Sequence, residues 1–138
     1  MKAHAFFLLA ASLAATGALA ADQPPPAYTP LRPVSECLRP DRINEWYVVD
    51  SQTVVARTGP DHYLVKLQAT CPRLGIGQSL RFNPNRSNLA VGMGALCGEA
   101  GETLSSRSQP PCAVQSIAKI DKAQYQQLSA KAIQSGNP

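Results

Sequence analysis

Four cysteines, Cys37, Cys71, Cys97 and Cys112, are the residues most able to do covalent chemistry, and the gaps between them are 33, 25 and 14 residues. A structural zinc site or a thiol oxidoreductase brings two thiolates together on a two-residue spacing, and no such pair occurs. Widely spaced cysteines in even number read as two disulfides formed in an oxidising compartment. Three pairings are open; the preferred one joins Cys37 to Cys112 and Cys71 to Cys97, stapling the start of the domain to its last strand and closing a central excursion.

Other chemistry is sparse. His62 is the one histidine after the N-terminal leader, next to Asp61 in a Gly59-Pro60-Asp61-His62 turn, where a solvated polar residue is expected. A serine nucleophile needs a base and an orienting acid, and no serine has the G-x-S-x-G setting. Acids are few and separated: Glu36, Asp41, Glu45, Asp50, Asp61, Glu99, Glu102 and Asp121. A glycosidase needs two carboxylates across a cleft, and no segment identifies such a pair. Gly75-Ile76-Gly77-Gln78 lacks the Lys-Ser/Thr ending and the strand-to-helix setting of a phosphate loop. Asn85-Arg86-Ser87 is a glycosylation sequon in form only. Metal ligation and a bound cofactor are not expected.

Binding chemistry is better represented. Trp46, Tyr47, Arg57, Tyr63 and Lys66 could combine into an exposed aromatic and cationic patch. As neighbours on a strand, Trp46 and Tyr47 face opposite sides, so one belongs to the core and the other lies exposed or under a helix.

The elements that would position these residues are mainly strands. Trp46-Tyr47-Val48-Val49, a turn at Asp50-Ser51-Gln52 and Thr53-Val54-Val55-Ala56 read as a hairpin, and Tyr63-Leu64-Val65-Lys66-Leu67 extends it to a three-stranded meander over residues 43–67. A short strand at residues 79–82 follows. Residues 89–96 are ambiguous because Gly92 and Gly94 weaken either assignment, and residues 98–102 read as an exposed turn. Cys112, Val114 and Ile120 share one face of a closing strand. Asp121 caps a C-terminal helix, with Gln124 three residues on; it is expected to run to about Ser135, stop at Gly136, and bury a stripe of Tyr125, Leu128 and Ala132. The fold class is mainly β with one C-terminal helix (α+β): a small, strongly bent antiparallel sheet or partly open barrel carrying two disulfides.

The 138 residues, 44% of them apolar, leave room for one domain. Met1-Lys2-Ala3-His4, an apolar stretch over residues 5–15 and Ala18-Leu19-Ala20 have the order of a secretory signal cut before Ala21. The apolar stretch falls short of the roughly 20 residues that span a bilayer, so no membrane span is expected after cleavage. Residues 21–35 hold five of the twelve prolines and read as an extended linker; residues 36–135 form the domain. The net charge of +4 falls to +3 once Lys2 leaves, and Arg57, Lys66, Arg73, Arg81, Arg86 and Arg107 are scattered, which argues against a nucleic-acid partner.

Trp46-x-x-x-Asp50-x-x-Thr53-Val54, Tyr63-Leu64-Val65-Lys66-Leu67-x-x-x-Cys71-x-x-Leu74, Cys97 and Cys112-x-Val114-x-x-Ile117-x-x-Ile120 together resemble a family of small exported proteins of Gram-negative bacteria, catalogued as a domain of unknown function. The resemblance covers residues 37–120 and departs from the pattern at Leu38, where an aromatic is expected. It implies an exported domain with paired cysteines and no assigned catalytic residues. The expectation is a periplasmic, non-catalytic binding or envelope accessory module whose partner is an envelope protein or polymer. The alternative is a small hydrolase-like enzyme using His62 or a carboxylate pair.

Overall fold

The computed structural model describes residues 32–107 and 109–137; the expected signal sequence and most of the proline-rich linker lie outside them. Strands β1 (Glu45–Asp50), β2 (Thr53–Thr58) and β3 (Asp61–Leu67) form the expected meander. The first turn is closed by Asp50, whose Oδ1 accepts from the Gln52 N–H at 2.8 Å, the local bond that favours Asp at turns. A second meander consists of β4 (Leu80–Asn83), β5 (Thr103–Ser106) and β6 (Gln109–Ile120). Between β4 and β5 lies a one-turn helix, α1 (Arg86–Ala90). Helix α2 (Lys122–Ser129) and a short strand β7 (Gln134–Gly136) end the described chain. The seven strands make one antiparallel sheet in the order β4-β5-β6-β3-β2-β1-β7, curled into a half-barrel with β4 and β7 as its edges.

The core follows from the period of two along a strand. Trp46 and Val48 on β1, Val54 and Ala56 on β2, and Tyr63, Val65 and Leu67 on β3 all point to the concave side, joined there by Leu80, Phe82, Leu104, Val114 and Ile117 of the second meander. Leu38, Ile43, Leu74 and Leu96, from segments outside the strands, complete this core. The alternate residues Glu45, Tyr47, Arg57 and His62 therefore point outward, onto the side where α2 packs against β1, β2 and β3.

Three expectations are corrected. The disulfides join Cys37 to Cys97 and Cys71 to Cys112, not Cys37 to Cys112 and Cys71 to Cys97. The first pairing is set by a lone antiparallel bridge: Leu38 and Leu96 exchange two N–H···O bonds of 2.8 Å, so the next opposed positions are Cys37 and Cys97, with Cα atoms 4.5 Å apart. The second follows from the end of β3. The Gln68 N–H donates to the Ala113 carbonyl at 3.0 Å and its side chain to Val114 at 3.1 Å, so Cys71 is laid beside Cys112.

The C-terminal helix stops at Ser129, not Ser135. After it the Ile133 N–H donates to the Val48 carbonyl at 2.8 Å and residues 134–136 pair with β1. Gly136 makes this possible, because any Cβ there would strike the Trp46 ring. Residues 98–102 turn at the exposed Ala100 and Gly101, but the flanking Glu99 and Glu102 are buried. Glu102 is fully buried, and its carboxylate accepts from the N–H groups of Cys97 and Gly98 at 2.6 and 2.8 Å. The end of the proline-rich linker also joins the domain, since the Arg32 guanidinium donates to the Ile117 carbonyl at 2.7 Å.

Peptide mapping without reduction is expected to return Cys37–Cys97 and Cys71–Cys112 peptides, and a Cys37–Cys112 peptide would contradict this register. Replacing Cys37 and Cys97 together by alanine removes the constraint on a 60-residue separation. The chain-entropy model puts the loss near 4 kcal/mol, measurable by denaturant unfolding.

Candidate functional site

Strand parity dissolves the expected aromatic and cationic patch. Trp46 is 1% exposed, with its indole in the core, and Tyr63 is 3% exposed, with its hydroxyl donating to the Cys37 carbonyl at 3.3 Å. Lys66 stays on the outer side, its ammonium donating to Thr53 Oγ1 at 2.8 Å. It stands four residues along β3 from His62, about 13 Å away. Of the five residues only Tyr47 and Arg57 meet.

They meet in a cleft of about 470 Å³ between the outer face of β1–β3 and α2, bordered also by Glu45, His62, Lys122 and Tyr125. The local sequence explains each placement. Glu45 and Tyr47 are two apart on β1 and share its outer face, Arg57 lies opposite Glu45 across the β1–β2 ladder, and His62 lies opposite Arg57 across β2–β3. Tyr125 is the buried residue of α2. It arrives because Asp121 caps that helix, its Oδ1 accepting from the Gln124 N–H at 2.8 Å.

Glu45 organises the cleft. Its Oε1 accepts from Arg57 Nε at 2.7 Å and from the Tyr125 hydroxyl at 3.0 Å, and its Oε2 from the Tyr47 hydroxyl at 3.4 Å. Burial pushes the Glu45 carboxyl upward, but the hydrogen bonds from Arg57 and Tyr125 outweigh it and hold the group below its ordinary value. The same contacts act in reverse on the donors. Burial, then the Glu45 charge, pushes both tyrosine hydroxyls up, Tyr125 most strongly, and the bond to Glu45 raises Arg57.

The rings line the rest. Tyr47 meets Tyr125 edge-on, with centroids 6.1 Å apart at 79°, and His62 lies 4.6 Å from Tyr125. His62 is therefore half-buried against a tyrosine, not a solvated turn residue. Its neighbour Asp61 points to the other side of β3 and pairs with Lys119 at 3.3 Å, so Asp61 and His62 do not form an acid–base couple. Asp41 is likewise paired with Arg39 at 3.0 Å. Glu102 is committed to backbone amides, and Asn85 donates to Glu99 at 3.1 Å. Among the described residues no group of three or more His, Cys, Asp or Glu side chains is arranged to hold a metal ion.

Sequence reasoning missed Tyr125 and Lys122 as cleft residues, having read the helix as a packing stripe. The signal was present in Asp121-x-x-Gln124-Tyr125, which fixes a tyrosine on the first turn facing back to the sheet. The model for a family of unknown function, DUF6491, matches residues 1–136. No curated protein and no solved structure matches the chain.

Two carboxylates should give the acid limb opposite contributions. The fold lowers the value for Glu45, so its stabilisation is complete above the ordinary 4.5 and is lost as pH falls through the lowered value. Burial raises the value for Glu102, so only between 4.5 and that raised value does the native form keep a proton that the unfolded chain has released, and stability falls as pH rises across that window. Arg57→Ala is expected to move the Glu45 titration upward in carboxyl-detected NMR. Tyr125→Phe is expected to cost about 1–2 kcal/mol. An unmoved Glu45 titration in Arg57→Ala would remove Arg57 from the account.

Proposed function

The chain belongs to the DUF6491 family of unknown function, and from that premise we propose that it is an exported, periplasmic binding module that holds a segment of an envelope polymer or protein in the cleft beneath α2 without transforming it. Supporting export are the signal-like order of residues 1–20 and the engagement of all four cysteines in disulfides, a state suited to an oxidising compartment. No helix among the described residues is long and apolar enough to cross a membrane.

The single observation that carries the binding reading is the lining of the 470 Å³ cleft: three rings, from Tyr47, His62 and Tyr125, beside the cations Arg57 and Lys122. Rings give flat contact area at low entropic cost, and fixed donors orient polar groups. Glu45 is held ionised by three donors, which suits a scaffold for those donors better than a proton-transferring acid.

The test is a thermal-shift and NMR screen of the mature protein against soluble peptidoglycan and lipopolysaccharide-core fragments, with product analysis on the same samples. Expected are saturable shifts at Tyr47, His62 and Tyr125, weakened about tenfold or more by Tyr125→Ala, with no new products. N-terminal sequencing of protein recovered from the periplasm should begin at Ala21. Turnover abolished by His62→Ala would replace this reading with the hydrolase one.

A further inference from the structure

At the far edge of the sheet from α2, a cavity of about 320 Å³ is bordered by Ser79, Arg81, Ser105, Ser106 and Arg107. Arg81 lies on the edge strand β4, opposite Ser105 of β5. The β4–β5 ladder keeps a regular register, so Ser105 lies on the same outer face as Arg81, while Ser106 turns to the buried side with Leu80 and Leu104.

Its chemistry is one-sided. Both arginines are exposed, and no carboxylate among the described residues borders the cavity. Among the described ion pairs neither arginine takes part. The Ser106 hydroxyl is buried, the residue being 8% exposed, and has no hydrogen-bond partner; the Ser79 hydroxyl is also buried and unpartnered. Ser105 Oγ accepts from Asn83 Nδ2 at 3.0 Å, which leaves its proton free to donate. Neither the Ser79 nor the Ser106 oxygen is open to the cavity, whose accessible donors are the two guanidiniums and the Ser105 hydroxyl.

Two forked guanidiniums and the Ser105 hydroxyl supply more donors than the two oxygens of a carboxylate accept. They suit the three terminal oxygens of a phosphate monoester. Arg81 also borders a second cavity of about 280 Å³ lined by Pro40, Ile43, Trp46, Leu80 and Phe82, which offers space for an organic substituent. We propose that the Ser79–Arg81–Ser105–Ser106–Arg107 cavity is a binding site for a phosphate monoester, separate from the cleft beneath α2.

The test is calorimetric titration, with amide-detected NMR, of the full chain with both disulfides formed, at fixed ionic strength. The probes are inorganic phosphate, glycerol phosphate, and phosphatidylcholine vesicles with and without phosphatidic acid. Saturable binding of a phosphate probe is expected, with shifts at residues 79–81 and 105–107 and none in the α2 cleft. A response to the soluble probes identifies a solute ligand, and a response confined to phosphatidic-acid vesicles identifies a lipid headgroup. Arg81→Gln combined with Arg107→Gln should weaken binding tenfold or more with the far-ultraviolet spectrum unchanged. Ser105→Ala should weaken it several-fold, with Asn83 keeping its bond to Thr103 Oγ1. No binding of any phosphate probe, equal binding of acetate, or parental affinity in the double-arginine or the Ser105→Ala variant would overturn the proposal.

Discussion

β6 is the strand on which the rest of the molecule depends. Its first half pairs with β5 and its second half with β3, and the register shifts on both sides, between Leu104 and Ser106 and between Lys66 and Leu67. Extra residues in a ladder bend the strand and increase its twist, so a single 12-residue strand turns the sheet through a corner. Pro110 and Pro111 fall in the half that has no β3 partner, where a missing N–H costs no central ladder bond. Cys112, at the changeover, is tied to the chain leaving β3. The Ile117 carbonyl, further along, receives Arg32. The curl leaves β4 and β7 as edges that do not pair with each other, and the two cavities with polar chemistry form on separate parts of one sheet.

Strand parity made the first meander legible in the sequence and limited what could be read of the site. Alternation in residues 45–67 gave three strands, and the half-barrel class followed from short strands around a single late helix. The split of Trp46 from Tyr47 was also readable, because neighbours on a strand must part. Tyr63 and Lys66 are three apart and so oppose each other; pooling Trp46, Tyr47, Tyr63 and Lys66 into one patch ignored that rule. β5 went unread because Thr103-Leu104-Ser105-Ser106 carries one large apolar residue. β7 was masked by Lys131-Ala132-Ile133-Gln134, which has helical composition but is drawn out by pairing with β1 and by the room Gly136 leaves over Trp46.

The cysteine pairing was illegible for a different reason. It depends on Leu38 meeting Leu96, a two-residue contact between irregular segments with no periodic signal. Glu102 is similar. Directly after Gly101 it looks like a solvent-facing turn residue, yet its carboxylate replaces the missing backbone acceptors of Cys97 and Gly98, and burial raises its proton affinity. The Cys37–Cys97 bridge and the Glu102 bonds hold the same loop, one covalently and one by charge-assisted hydrogen bonds. Long-range constraints of this kind leave single residues in the sequence and no pattern.

The two cavities differ in how their cations are balanced, and that difference assigns them different ligand chemistry. In the cleft beneath α2 the charge of Arg57 is met at 2.7 Å by Glu45, which leaves Lys122 as the one cation bordering the cleft without an ion pair among the described residues. Recognition there falls to ring faces and to the geometry of donors already fixed, contributions that salt screens weakly. At the β4–β5 edge no carboxylate among the described residues borders the cavity with Arg81 and Arg107, so their attraction extends over roughly a Debye length, about 8 Å at physiological ionic strength. A ligand of that edge is drawn in by charge and then held by the guanidinium forks, whereas a ligand of the cleft must fit before it is held. One sheet thus carries a shape-reading site and a charge-reading site, kept apart by the strands between α2 and β5.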